Sequence, residues 1–351
     1  MAKEMMEGNI AMAEMAIRGG CRAFFGYPIT PQSPFLEYMS ERMREVGGEF
    51  CQCESEIASS NMLMGAAAAG ARVCTATAGM GVSLMMEALS WAGAGLYPGV
   101  IVFLSRGGAG ASGGGPSQQD YNYFTKTMGH GGFPPYVIAP STVQEAADIM
   151  YDAFDLADKY RTLVVVFTDA MVGQVMEPVE LKPFKTEFPT KNYYVGYRSD
   201  GGDRRIIANA IRDENKYGAP ANRRFEAMYE TWKNEEVKYE EYKTDDAEVI
   251  LIAYGTAARI CRGAIDDLRE EGYKVGMFRP ITLNPFPVHQ IEAFDNSRIR
   301  QLVVAEVCVP PQMVNDVKLA NAGRIPVASY AKSWSEIFST EDVVAELKKY
   351  F

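Results

Sequence analysis

Phe24-Phe25-Gly26-Tyr27-Pro28-Ile29-Thr30-Pro31-Gln32-Ser33-Pro34 is the stretch whose reading decides the fold. Its apolar start reads as a buried strand, which the prolines stop. Ser33, with Pro34 at the first helical position, then reads as a helix start. In an open α/β sheet, ligands bind at the carboxyl ends of parallel strands. Two prolines stiffen this strand-end loop and present Thr30 rigidly, so Pro28-Ile29-Thr30-Pro31 marks where chemistry is to be sought.

The pattern continues on both sides. Asn9 is placed to cap a helix that stops at Gly19-Gly20. Strands are expected at 23–27, 49–53, 73–77, 100–105 and 163–168, alternating with helices at 33–46 and 57–70. Thr142-x-x-Glu145 resembles a capping box and opens a helix to about residue 158. Strands alternating with helices predict an α/β fold, a doubly wound parallel sheet in a first domain spanning 1–180. Pro178, Pro183 and Pro189 mark its end. Residues 181–245 are polar, with Asp200-Gly201-Gly202-Asp203 and a charged tail. They read as a linker with one packed helix, whose apolar face is Phe225, Met228 and Trp232. A second α/β unit, 246–351, has strands at 249–254, 274–278, 302–306 and 327–330, a helix at 257–271 and a last helix at 343–350.

Composition narrows the classes. A net charge of −10 gives no basic balance with which to meet phosphates, so no nucleic-acid partner is expected. At 47% hydrophobic residues the chain can bury sizeable cores. No long apolar run predicts a membrane span, and no secretory signal opens the chain, so a cytoplasmic protein is expected. The six cysteines include no Cys-x-x-Cys pair; they read as reduced, mostly buried thiols, with no cluster framework and no metal-ligating set.

Four features fall at strand ends of the first domain: the Thr30 loop; Glu54-Ser55-Glu56; Thr75-Ala76-Thr77-Ala78-Gly79-Met80-Gly81; and Ser105-Arg106-Gly107-Gly108, which runs through a glycine-rich loop to Gly115 and Pro116-Ser117-Gln118-Gln119-Asp120. No Gly-Lys-Ser/Thr occurs and no Gly-x-Gly-x-x-Gly follows the first strand, which removes the common phosphate-loop readings. On the residues alone, Glu56 is either a site acid or an acid favoured by a helix dipole. Arg106 is either a surface cation or a bidentate carboxylate holder. The 107–115 loop covers a site, turns at a subunit contact or lies idle on the surface. His130, one of two histidines, reads as structural.

As a set these residues resemble the 2-oxoacid:ferredoxin oxidoreductases, in the subunit that joins a thiamine diphosphate pyrimidine-binding domain to a transketolase C-terminal-like domain. The resemblance is carried by Gly8-Asn9, Tyr27-Pro28-Ile29-Thr30-Pro31, Glu54-Ser55-Glu56 with Gly65-Ala66-Ala67, and Thr75-Ala76-Thr77-Ala78-Gly79. In the second domain it is carried by Tyr254-Gly255-Thr256 and Arg279-Pro280-Ile281-Thr282 with Pro285. Gly26 to Ser33, Ser105-Arg106-Gly107-Gly108, Pro116 to Tyr121 and Phe154 to Arg161 look closest to the branch acting on 2-ketoisovalerate (3-methyl-2-oxobutanoate). The 2-oxoglutarate branch looks similar and is the alternative.

The resemblance implies CoA-dependent oxidative decarboxylation of a 2-oxoacid to acyl-CoA and CO2, with electrons passed through iron–sulfur clusters to ferredoxin. It implies that Glu56 hydrogen-bonds the aminopyrimidine ring of thiamine diphosphate and so activates the cofactor. It makes Thr30 and Arg106 the catalytic groups beside the substrate, and Pro28, Ile29, Thr77 and Gly79 further cofactor neighbours. The chain departs from the family at Pro311, which stands where a glycine commonly precedes Gln312-Met313, and in Gly108-Ala109-Gly110-Ala111, which lacks a proline after the glycine pair. It also lacks a Gly-Asp-Gly with a following Asn for magnesium and diphosphate. Magnesium, the diphosphate half of the site and [4Fe-4S] clusters are therefore expected from a second subunit, with ferredoxin-like and gamma-type subunits beside it, and this chain alone is expected to be inactive. Outside catalysis, the alternative is a scaffold subunit of such a complex; a stand-alone thiamine decarboxylase or transketolase half is a third reading.

Overall fold

The computed structural model describes residues 3–110, 113–189, 191 and 218–351. The Asp200-Gly201-Gly202-Asp203 stretch, and residues 111 and 112 of the glycine loop, lie outside the described residues. In chain order the first half holds β1 (Glu4–Glu7), α1 (Gly8–Arg18), β2 (Ala23–Gly26), α2 (Ser33–Glu45), β3 (Glu49–Gln52), α3 (Glu56–Ala68), β4 (Val73–Ala78) and α4 (Gly81–Gly95). It continues with β5 (Gly99–Ser105), a π turn at Tyr123–Thr127, β6 (Tyr136–Ile138), α5 (Val143–Tyr160), β7 (Leu163–Asp169), α6 (Ala170–Gln174) and β8 (Met176–Val179). The rest holds α7 (Ala219–Glu235), β9 (Tyr239–Tyr242), β10 (Val249–Ile252), α8 (Gly255–Glu270), β11 (Val275–Pro280), β12 (Thr282–Asn284) and α9 (Val288–Glu292). β13 (Gln301–Glu306), α10 (Met313–Asn321), β14 (Val327–Ala331) and α11 (Thr340–Leu347) complete it.

The fold is the expected α/β one. A seven-stranded sheet runs β12-β6-β7-β5-β4-β2-β3 and is parallel except at β12. Residues of β4, β5 and β7 are buried throughout, because helices cover both faces of the sheet. β2 pairs with β3 on one side and β4 on the other, so the direction of winding reverses between β2 and β4. The Thr30 loop leaves β2 and the Thr77–Gly79 turn closes β4, so both stand at this switch point, where open sheets form their crevice. The second sheet runs β14-β13-β10-β11-β9 and is parallel except at β9. Two short strands cross between the expected units. β9, within the expected linker, pairs with β11 of the second sheet, while β12, from the second unit, pairs with β6 of the first. The expected packed helix is α7, where Trp232 is fully buried edge-on to Tyr136, Tyr160 and Tyr229.

Three local expectations are corrected. Asn9 does not cap α1: β1 runs straight into the helix, Glu7 holds the cap position, and the Asn9 side chain donates instead to Glu7 Oε1 (3.2 Å) and the Pro31 carbonyl (3.1 Å). Ser33 is the first residue of α2 rather than its cap, and Gln32 takes the cap position, its Nε2 tied to the Tyr27 carbonyl at 2.7 Å. The Thr142 box is half formed. Thr142 Oγ1 accepts from Glu145 N (3.2 Å), but the Glu145 carboxylate turns to Ser141 and to Arg279 of β11, which grips it through both guanidinium nitrogens at 2.9 Å. Among the described residues no helix is long and apolar enough to cross a membrane.

Candidate active site

Glu56 opens α3, and its place is set by Ser55, whose Oγ accepts from Ala58 N across the first turn. Its side chain is 3% exposed. Among the described residues the carboxylate has one hydrogen-bond partner, Thr77 Oγ1 at 3.5 Å, and no cation is paired with it. Space for it comes from Gly81, the first residue of α4. A Cβ built there would overlap Glu56 Oε1 and Thr77 Oγ1, and would stand 2.9 Å from Glu56 Cδ. The result is a nearly buried acid with acceptor capacity left for a further donor.

Arg106 directly follows β5 and is 9% exposed. Its Nη1 donates to the Thr30 carbonyl at 2.7 Å, and its Nε is buried without a partner. It therefore meets Thr30 through the backbone rather than through the hydroxyl; the Thr30 residue itself is exposed. The guanidinium lies against Gly79, whose φ of +50° suits a residue without Cβ, and a Cβ there would sit 2.7 Å from Arg106 Nε. The β4–α4 turn thus separates two clusters by two residues: Arg106 with Thr30 and Gly79, and Glu56 with Thr77 and Gly81. Pro28 is exposed on the same loop, and Ile29 packs half-buried against the core.

Behind these clusters stands a polar layer that ties the two sheets together. Ser105 Oγ donates to Asp120 at 2.7 Å, and burial pushes the Asp120 carboxyl upward. Gln118 bonds the Tyr254 carbonyl (2.9 Å) and Val307 N (2.8 Å), and Thr256 Oγ1 donates to Asp169 (2.7 Å), also raised by burial. Glu306, the fully buried last residue of β13, accepts from the backbone of Gln312, Met313 and Val314 at the start of α10; burial raises it too, against those bonds. Gln118 and Gln312 could be quoted from the sequence but given no role there, since their partners lie far away along the chain. Gly81 was quoted only as part of a turn.

The remaining candidates lie elsewhere. His130 is exposed, with its backbone on Ser90 Oγ, about 13 Å further along α4 than Gly81. All six cysteines are free thiols, Cys51 alone being half-buried, and no metal-binding cluster occurs among the described residues. A cleft of about 880 Å3 between α5 and Arg279, with a mixed apolar and charged lining, contains none of the strand-end groups. These groups instead border a surface carrying the exposed side chains of Tyr27, Ile57, Met62, Met80 and Leu84.

The sequence and fold of this chain are similar to those of known proteins. Residues 14–244 match the family described as pyruvate flavodoxin/ferredoxin oxidoreductase, thiamine diP-bdg, and residues 247–343 match pyruvate:ferredoxin oxidoreductase core domain II. The ketoisovalerate oxidoreductase subunit VorB of Methanothermobacter thermautotrophicus is 38% identical, over 99% of this chain and 98% of its own length. The 2-oxoglutarate synthase subunit KorA of Methanocaldococcus jannaschii is 32% identical, over 99% of this chain and 97% of its own. Among solved structures, the 2-oxoglutarate:ferredoxin oxidoreductase from Magnetococcus marinus superposes with a TM-score of 0.86 at 25% identity, covering 99% of this chain. This chain spans 65% of that longer one. A split gene transketolase, at 13% identity and a TM-score of 0.58 over 97% of this chain and 95% of its own, shares the fold. A likeness that runs through both sheets and nearly every residue makes this chain a subunit belonging to the 2-oxoacid:ferredoxin oxidoreductase family.

Proposed function

We propose that the chain binds the pyrimidine side of thiamine diphosphate in an enzyme that converts a branched-chain 2-oxoacid, 2-ketoisovalerate, and CoA to acyl-CoA and CO2, passing electrons to ferredoxin. The observation that carries this reading is Glu56: a buried carboxylate with no cation paired to it among the described residues, in a recess kept open by Gly81. Such a recess fits a flat heterocycle with a protonated nitrogen to donate. When bound, thiamine diphosphate supplies a nucleophilic carbon and an electron sink for decarboxylation. Glu56 holds the proton at the pyrimidine edge by accepting its hydrogen bond. Thr77 orients the Glu56 carboxylate, while Gly79, Pro28 and Ile29 shape the wall beside it. Arg106 brings positive charge to the 2-oxoacid carboxylate, and the Thr30 hydroxyl, on the loop that leaves β2, orients the keto group.

The site is read as shared. The exposed apolar side chains around Glu56 suit a partner subunit's surface, and this chain's sequence has no magnesium–diphosphate motif and no cluster cysteines. The partner supplies those parts, with ferredoxin-like and gamma-type subunits completing the assembly. The choice of 2-ketoisovalerate rests on identities of 38% and 39% to the two ketoisovalerate subunits against 30% to 32% for the 2-oxoglutarate ones.

The test is the co-purified complex. Glu56→Gln should lower 2-oxoacid-dependent viologen reduction by about 10²- to 10⁴-fold, the usual contribution of a positioned acid or base. Undiminished turnover would reduce this chain to a scaffold. Turnover by the chain alone would refute the shared site, and a higher kcat/KM for 2-oxoglutarate than for 2-ketoisovalerate would replace the substrate.

A further inference from the structure

Arg106 has no acidic partner among the described residues. Its position is set by the backbone it stands on and by what packs against that backbone. The two legs of its loop are paired, with Gly107 N donating to the Gly115 carbonyl at 3.0 Å and a bridge between Arg106 and Pro116. Trp334, from the segment between β14 and α11 of the second sheet's half, lies across both legs. A Cβ on Gly107 would overlap the Cβ, Cγ and Cδ2 atoms of Trp334; one on Gly113 would stand 2.9 Å from its six-membered ring, and one on Gly115 3.2 Å. The glycines here make a flat seat for an indole.

A second hold comes from the same half of the chain. Gln119 Nε2 donates to the carbonyls of Arg106 (3.1 Å) and Gly108 (2.7 Å), and its Oε1 accepts from Gly108 N (3.2 Å). Gln119 is itself fixed by Gln312, whose Nε2 donates to the Gln119 carbonyl at 2.6 Å and whose Oε1 accepts from Asn122 N at 2.8 Å. Gln312 N in turn donates to buried Glu306. One hold on the arginine loop, Trp334, therefore originates beyond residue 300, and the other, Gln119, is braced from there by Gln312.

We propose that Trp334 is a positioning residue for the 2-oxoacid: seated on Gly107, it fixes the backbone that aims Arg106 and so sets substrate affinity. The inference rests on the reading of Arg106 as the carboxylate-binding group. Trp334→Ala in the assembled complex should raise KM for the 2-oxoacid by about 10- to 100-fold, the penalty of a misplacement near 1 Å. KM for CoA and the affinity for thiamine diphosphate should stay within about twofold, since neither depends on the aim of Arg106. Trp334→Phe keeps a ring over Gly107 and should restore KM to within about threefold. If the alanine variant fails to assemble, Trp334→Leu, which keeps bulk but not flatness, takes its place with the same expected rise. An unchanged KM in the variant that assembles, or a loss spread equally over all substrates, overturns the inference. Arg106→Ala separates the two claims. If it leaves the 2-oxoacid KM unchanged, the reading of Arg106 fails; if it raises KM while the Trp334 variants do not, only the positioning role fails.

Discussion

Gly81→Ala tests the recess with a single methyl group. Gly81 does not lie in the left-handed region, so alanine can adopt its backbone. Its Cβ would stand 2.9 Å from Glu56 Cδ, where ordinary contact begins at 3.4 Å, and closer still to Glu56 Oε1 and Thr77 Oγ1. The carboxylate must retreat by about 0.5–1 Å to restore contact distances, which at a reacting group lowers the rate by about 10²-fold. Stability falls by no more than about 3 kcal/mol, because two effects oppose each other and the helical gain is smaller at a first position. Alanine for glycine inside a helix gains about 0.5–1 kcal/mol, and overpacking a buried site costs about 1–3 kcal/mol. The expected outcome is an assembled complex with about a hundredfold slower 2-oxoacid-dependent viologen reduction and weaker thiamine diphosphate binding. A rate within threefold of wild type, with normal cofactor affinity, would show that the Glu56 recess is not where the pyrimidine ring is held.

Two further outcomes concern the scaffold. Trp232→Ala should destabilise the chain by about 3–5 kcal/mol in urea unfolding, because it removes a fully buried indole from among three tyrosine rings; a loss under 1 kcal/mol would mean that α7 is not anchored there. Burial alone would raise the Glu14 carboxyl, but hydrogen bonds from Arg42 and Arg18 outweigh it and hold the group below its ordinary 4.5. A carboxyl depressed on folding contributes stability that is full above the unfolded value and lost as pH falls through the folded one. Unfolding free energy should therefore drop below about pH 4.5, and less steeply in Glu14→Gln; parallel pH profiles for the two would refute the assignment.

The sheet was legible because β4, β5 and β7 are near-continuous apolar runs bounded by glycine or charge, which a parallel sheet buried on both faces requires. Glu56, Thr77 and Arg106 could be read as strand-end groups for the same reason. β6, β9 and β12 have only three or four residues each and carry no period to read. The partners of Gln119 and Trp334 escaped notice because they are fixed by contacts across some 200 residues of chain, which no local pattern encodes. The Thr30 loop shows the limit from the other side. Its prolines pointed to a presented hydroxyl, whereas the atom Arg106 engages is the carbonyl, which every residue type has and no sequence motif can single out.

The exchange of β9 and β12 between the two sheets bears on how such a chain can be divided. Each strand closes the edge of a sheet built mainly by the other half of the chain, β9 against β11 and β12 against β6. Separating the halves near residue 245 strips both edges at once and leaves open rows of backbone donors and acceptors on each fragment. The two units are thus coupled in solubility. A reading frame encoding either half alone would yield a product that pairs edge to edge with its own copies.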